Sequence, residues 1–240
     1  MYFGLSEEQQ SLEDNIKKYL EDNASLDSIK EVAGGDSAKS ADIHKGLLEL
    51  GISGLMVPEE YGGLELDMLF ASVVSGALGS GTAPVPYAGA YVMAPIALTL
   101  AGSDSQKENW LPKIAGGEVV IGIGLSEYVG AREDAAITAS GKTISGRCLF
   151  VMDGKDADAY ILANKAGELY LVDAKAKGIS VTELVTVDKT RPSIELNLDN
   201  VEAELLPGSE NNQEVINKVL DAGRLMLAAD SIGASQIMLD

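Results

Sequence analysis

The sequence predicts an α+β chain in three stretches. These are an all-helical domain over residues 1–118, a β-barrel or sandwich-like domain over 119–208, and the opening of a further helical domain over 209–240. Three observations predict it. Up to about residue 118 apolar residues recur at the three- and four-residue spacing of one helix face. From Val119-Val120-Ile121 onward, β-branched residues gather in short runs separated by turn residues. After Asn211 the helical period returns through Val215, Val219, Leu220, Leu225, Leu227 and Ala228.

Each element follows from local signals. Ser6 with Glu7, Glu8 and Gln9 forms a capping box ahead of Leu12, Ile16, Tyr19 and Leu20. Residues 23–42, with Gly34-Gly35 and several Ser and Asp, read as a loop or a frayed helix. A short helix through Leu47, Leu48 and Leu50 stops at Gly51, and Pro58 to Gly63 is a turn rather than a helix. Helices are expected over 66–79, 86–100 and 104–115, with Pro84 and Pro86 marking the gap. Thr138 to Ile144 is a hairpin bent at Gly141. Ala159 to Ala163 and Leu169 to Val172 form a second strand pair. Ile179 to Val187 and Ile194 to Leu198 extend the sheet, and Pro207-Gly208 closes it. The last helix runs to Asp240 with an apolar face and no C-cap. Such a face needs a surface to pack on, either another subunit or the remainder of a longer polypeptide, and the second is the expectation.

Composition excludes several classes. At 240 residues, 46% of them apolar, and with mean hydropathy +0.08, the chain is long enough for one large or two smaller cores. No apolar run reaches the roughly 20 residues of a membrane span. The amino terminus turns acidic at once, unlike a secretory signal, so a cytoplasmic or matrix-like location is expected. The net charge of −19 argues against a nucleic-acid partner, which needs clustered Lys and Arg, and suits a solvated acidic surface. One Cys and one His leave no internal disulfide and no Cys/His zinc site. There is no G-x-S-x-G elbow and no Walker loop, and Gly122-Ile123-Gly124 lacks the third glycine of a dinucleotide fingerprint. His44, in a helical-looking stretch, reads as structural.

Several longer stretches carry a resemblance. Leu50-Gly51-Ile52-Ser53-Gly54-Leu55-Met56-Val57-Pro58-Glu59-Glu60-Tyr61-Gly62-Gly63 is one. Gly102-Ser103 through Gln106-Lys107, Trp110-Leu111-Pro112 and Ile114 to Glu118 is another. Asp188-Lys189-Thr190-Arg191-Pro192 and Leu220-Asp221-Ala222-Gly223-Arg224 follow in order. Together with the helix–sheet–helix sequence, these resemble the acyl-CoA dehydrogenase family, whose later helical bundle is not represented. The resemblance implies an FAD enzyme that dehydrogenates an acyl-CoA between its α and β carbons, in fatty acid or lipid degradation. A carboxylate takes the α proton and the β hydride passes to the flavin. Electrons then go to an electron-transfer flavoprotein, and the assembly is a dimer or tetramer. A polyanionic CoA thioester would require a locally basic site on this acidic chain.

The resemblance also implies site residues. The segment 123–127, with Ile123, Leu125 and Ser126, would run beside the flavin, the Ser126 hydroxyl meeting the ring edge. Phe150, Val151 and Met152 stand where the family's second flavin strand has Trp, Ile and Thr or Ser. Phe150 can wall one ring face, whereas the Met152 thioether has no proton to donate; without the family context both read as plain core. Arg132 replaces a hydroxyl residue at the flavin pyrophosphate, either pairing with phosphate or facing Glu133 on the surface. Gly223 occupies one of the family's positions for the catalytic Glu, and the alternative position lies beyond Asp240, so no catalytic residue is identified. Asp221 and Arg224 match positions at the CoA arm and site wall, or else form an N-terminal helix acid and a buried ion pair. Ala71, Ser72 and Gly76 either leave room for a substrate tail or allow close helix packing.

Two rival readings stand beside this one. The first is a catalytically impaired or flavin-poor structural subunit of a heteromeric dehydrogenase, favoured by Arg132, Met152 and Gly223. The second is a flavoprotein of the same fold with oxidase or monooxygenase chemistry.

Overall fold

A computed structural model describes residues 4–130 and 135–239. The first helix, α1 (Glu7–Asn23), starts where the capping box places it. The Gln9 amide donates to Ser6 Oγ, and the Ser6 amide donates back to Gln9 Oε1 at 2.9 Å. The stretch expected as loop or frayed helix instead holds α2 (Leu26–Ala33) and much of α3 (Ser37–Glu49). The polar residues that suggested a loop are the caps. Ser25 accepts from the Ser28 amide and Asp36 from the Lys39 amide, and only Gly34-Gly35 breaks the chain, with Gly35 at φ +108°. A single 3₁₀ turn, Glu59–Tyr61, lies inside the expected turn.

Helix α4 (Met68–Ser80) begins on Asp67, which accepts from the Leu69 and Phe70 amides. The helix expected over 86–100 is divided. Ala88–Met93 is a π-helical segment that runs into α5 (Ala94–Ala101), and α6 (Asp104–Ala115) follows behind a second capping box, Ser103 with Gln106.

The strands are β1 (Ile121–Gly124), β2 (Ile137–Ser140), β3 (Thr143–Val151), β4 (Ala159–Ala163), β5 (Leu169–Asp173), β6 (Ile179–Glu183), β7 (Ile194–Glu202) and β8 (Glu204–Leu205). They form two four-stranded sheets rather than one extended sheet, in the orders β1-β4-β5-β8 and β2-β3-β7-β6. The sheets stack as a sandwich and do not close into a barrel. Alternation along β4 and β5 explains the stacking. Tyr160, Leu162, Tyr170 and Val172 join Cys148, Val151, Ile194 and Leu196 between the sheets. Ile161, Ala163, Leu169 and Leu171 face the other way, into the core of the helices. A strand covered on both faces is a continuous apolar run, as Ala159 to Ala163 is.

The last helix, α7 (Gln213–Leu239), returns to the helical part and crosses α4. The crossing is made by small residues. Ser75 Oγ donates to the Met226 carbonyl at 2.8 Å. A Cβ at Gly79 would overlap the Asp230 carbonyl, and one at Gly233 would overlap that of Gly76. Ala71 is fully buried, and Gly76 faces the Ala229 carbonyl, so these small side chains serve close helix packing. Among the described residues no helix is long and apolar enough to cross a membrane.

Candidate functional site

Strand β1 and the end of β3 are brought side by side by two ties. The Ile123 amide donates to the Met152 carbonyl at 2.9 Å, and the Met152 amide donates back to the Ile123 carbonyl at 2.8 Å. Just beyond, the Leu149 amide donates to Ser126 Oγ at 3.0 Å, with Cys148 Sγ 3.4 Å from the same hydroxyl. Burial pushes the Cys148 thiol up, so it is a neutral packing group. Ser126, only 5% exposed, thus works as a clamp between the two segments. The resemblance had its hydroxyl at a ligand edge; the structure turns it onto β3 backbone.

The other expected residues divide. Ile123 and Val151 belong to the core, and Met152 takes both backbone groups of Ile123, so neither side chain reaches a surface. Leu125 is buried beside them and Met152 is half-buried. Phe150 is different: it is 54% exposed and sits at φ +53°, where a register shift interrupts the β3–β7 ladder between Cys148 and Val151. A left-handed aromatic residue costs on the order of 1 kcal/mol relative to its favoured conformations. The backbone is thus strained at a residue whose ring is exposed, one position beyond the Leu149 amide that Ser126 holds. Arg132 lies outside the described residues.

The loop after β1 docks on α7 through Tyr128, whose hydroxyl donates to Asn217 Oδ1 at 3.0 Å. One helical turn further on, about 6 Å along the axis, Asp221 and Arg224 form an ion pair at 2.9 Å. Both side chains are mostly exposed, so the pair is a surface pair rather than a buried one. Gly223 beside them points inward: a Cβ there would stand 2.6 Å from Met93 Sδ of the π-helical segment. That position faces the helical core.

A polar network at the seam of helices and sheets was not read from the sequence. Asp153 Oδ2 accepts from the Gly89 amide at 2.7 Å and the Ala90 amide at 3.1 Å, capping the π-helical segment from the sheet side. Burial raises its carboxyl to about 6, and the two amides with Arg191 oppose the rise. Arg191 holds Asp230 of α7 with two parallel bonds, 2.9 and 3.0 Å. His44 Nε2 lies 2.8 Å from the Tyr91 hydroxyl, and burial holds the imidazole below its usual range. His44 is thus tied to the π-helical segment through Tyr91. The motif containing Arg191 was visible, but its partner lies 39 residues away and no spacing rule links them.

Near the Ser126 clamp the chain offers an outward aromatic, Phe150, and a half-buried thioether, Met152, groups of the kind that stack on or pack against a flat ring. The Ser126 hydroxyl accepts from the Leu149 amide inside the fold, and the Met152 thioether has no proton to give.

Comparison with known proteins bears on the fold. Residues 6–118 match the description "Acyl-CoA dehydrogenase, N-terminal domain". The mitochondrial isovaleryl-CoA dehydrogenase of Pongo abelii is 26% identical over 99% of this chain, which spans 62% of that protein. An acyl-CoA dehydrogenase from Bacillus anthracis, solved with FAD, superposes with TM-score 0.83 at 19% identity over 95% of this chain and 42% of that one. The ChsE4–ChsE5 complex from Mycobacterium tuberculosis gives TM-score 0.86 at 22% identity, over 99% of this chain and 66% of that one. The chain thus spans between 42% and 66% of the length of these proteins.

Proposed function

We propose that this chain, whose residues 6–118 match the acyl-CoA dehydrogenase N-terminal domain, holds FAD beside Phe150 and works in the α,β-dehydrogenation of an acyl-CoA thioester. Phe150, Leu125, Met152 and the backbone of 125–127 would hold the cofactor. FAD supplies the hydride acceptor. Phe150 covers one ring face and keeps water from it. Ser126 sets the separation of the two strands. Arg132, placed by resemblance alone, would meet the pyrophosphate, and Asp221 with Arg224 would line the path of the CoA arm on α7. Electrons would pass to an electron-transfer flavoprotein, and the working unit would be a dimer or tetramer.

The observation that carries this reading is the strained, outward Phe150 beside the Ser126 clamp. Proton removal next to a thioester needs a base within hydrogen-bond reach. Gly223 does not offer one, and its inward direction against Met93 means that this position serves packing. The base would therefore come from a later helical segment or from a partner subunit. The same glycine favours a second reading, a structural subunit of a heteromeric dehydrogenase.

The visible spectrum of the purified protein separates the two. Bound flavin that bleaches anaerobically with one acyl-CoA establishes dehydrogenation and its substrate class. Flavin that binds and remains oxidised with every thioester leaves the cofactor site and removes the catalytic step. Failure to take up FAD, with Phe150→Ala behaving like wild type, overturns this flavin site itself.

A further inference from the structure

A cleft of about 330 Å³ opens at the seam between helices and sheets, with none of Leu125, Phe150 and Met152 in its lining. Three separate stretches line it: α2–α3 with Val32 and His44, the Pro84–Pro86 strap, and the loops around Lys155 and Lys189. Its size falls in the range of small-molecule sites, which favour domain seams and combine apolar walls with a few polar groups. We propose that this cleft is a second ligand site and takes a compact apolar carboxylate, its body against the prolines and its charged end at Lys189.

The sign follows from which polar groups are already engaged. Asp36 accepts from the Lys39 amide, and Asp153 from Gly89 and Ala90, so both carboxylates are turned onto backbone. Arg191 is clamped to Asp230, and Lys155 reaches Glu183 at 3.1 Å. His44 is tied to Tyr91 and stays neutral. Lys189 lies on the rim with no ion pair among the described residues and is exposed. The opposing group is Asp156, an exposed acid on the facing loop. A carboxylate within reach of Lys189 gains a charge-assisted hydrogen bond, while an apolar body displaces water from Pro84, Val85 and Pro86. On a chain of net charge −19, a cleft whose own charges balance is a comparatively favourable place for an anion.

The test uses three probes of one shape: phenylacetate, 2-phenylethanol and phenethylamine. Calorimetry on the full chain should show saturable binding of phenylacetate, at least fivefold tighter than the alcohol. Amide NMR shifts should be confined to residues 40–44, Val85 and 189–191. Lys189→Ala should weaken phenylacetate about tenfold. Ala41→Trp, which fills the cleft from an exposed helix position, should abolish binding of both acid and alcohol. Saturating FAD should leave the phenylacetate affinity unchanged, which keeps this site independent of the proposed flavin reading. Preference for the amine, no saturable shifts, or binding untouched by Ala41→Trp would each overturn the proposal.

Discussion

The α4–α7 crossing and the β1–β3 ledge are both built from close backbone approaches, yet they use them in opposite ways. At the crossing, Gly79, Gly233 and Ser75 bring two helices together with no room for a side chain, and the small residues are buried by it. At the ledge, Ser126 clamps two strands, and the same closeness leaves Phe150 half outside in a left-handed conformation. One region lowers its free energy by packing; the other stores strain and holds a large apolar ring in water. Strain that surrounding contacts over-determine belongs at binding sites, where a ligand recovers part of it. The difference separates a tight place that buries its small residues from one that leaves a strained ring exposed.

The sharpest way to break that comparison is to fill the crossing. Gly79→Ala should lower stability by about 2 kcal/mol, because the clash is with backbone and outweighs the ~1 kcal/mol Ala gains over Gly in a helix. Urea unfolding measures it, and a neutral or stabilising result would mean the helices can slide apart.

The seam between the two regions should respond to pH. Asp153 has its carboxyl raised from 3.8 to about 6, so its protonated form is favoured in the folded state. Its stability contribution is therefore full below about 3.8 and is lost as pH rises through about 6. The difference in unfolding free energy between wild type and Asp153→Asn should shift by about 1–2 kcal/mol between pH 4.5 and 7.5, in favour of the variant at the higher pH. A difference that stays flat across that window would place the carboxylate in water.

At the ledge the effect should be smaller and of opposite sign. Phe150→Gly should raise Tm, equivalent to roughly 0.5–1 kcal/mol, by relieving the left-handed backbone, while weakening FAD about tenfold through lost stacking. Loss of both stability and affinity would make Phe150 an ordinary packing residue. The smallest change is expected at the surface pair: Asp221→Asn should alter stability by less than about 0.5 kcal/mol. Any effect there should appear in acyl-CoA affinity rather than in unfolding.

Much of this protein was legible because its signals are local. Ser6 with Gln9 and Ser103 with Gln106 name their helix starts within four residues, and Gly141 marks its hairpin. The apolar run at Ala159 to Ala163 announced a strand, though not that sheets and helices would cover its two faces. Ser25 and Asp36 misled because Ser and Asp serve loops and helix caps alike, and only the following amides decide which. At the ledge the sequence offered residues but not their contacts: that Ser126 Oγ accepts from the backbone of strand β3 depends on a neighbour 23 residues away.

By itself, then, the sequence determined the order of helices, strands and final helix, the lack of a Cys/His zinc set and of a G-x-S-x-G elbow, and the family resemblance. Each of these rests on residue types or on spacings shorter than one element. Tertiary structure alone decided that Gly223 packs on Met93, that Asp153 caps the π-helical segment, that Arg191 meets Asp230, and that a cleft opens beside His44. Those facts depend on which groups meet after two sheets stack and α7 returns across α4, and burial, charge and strain take their values only at such meetings.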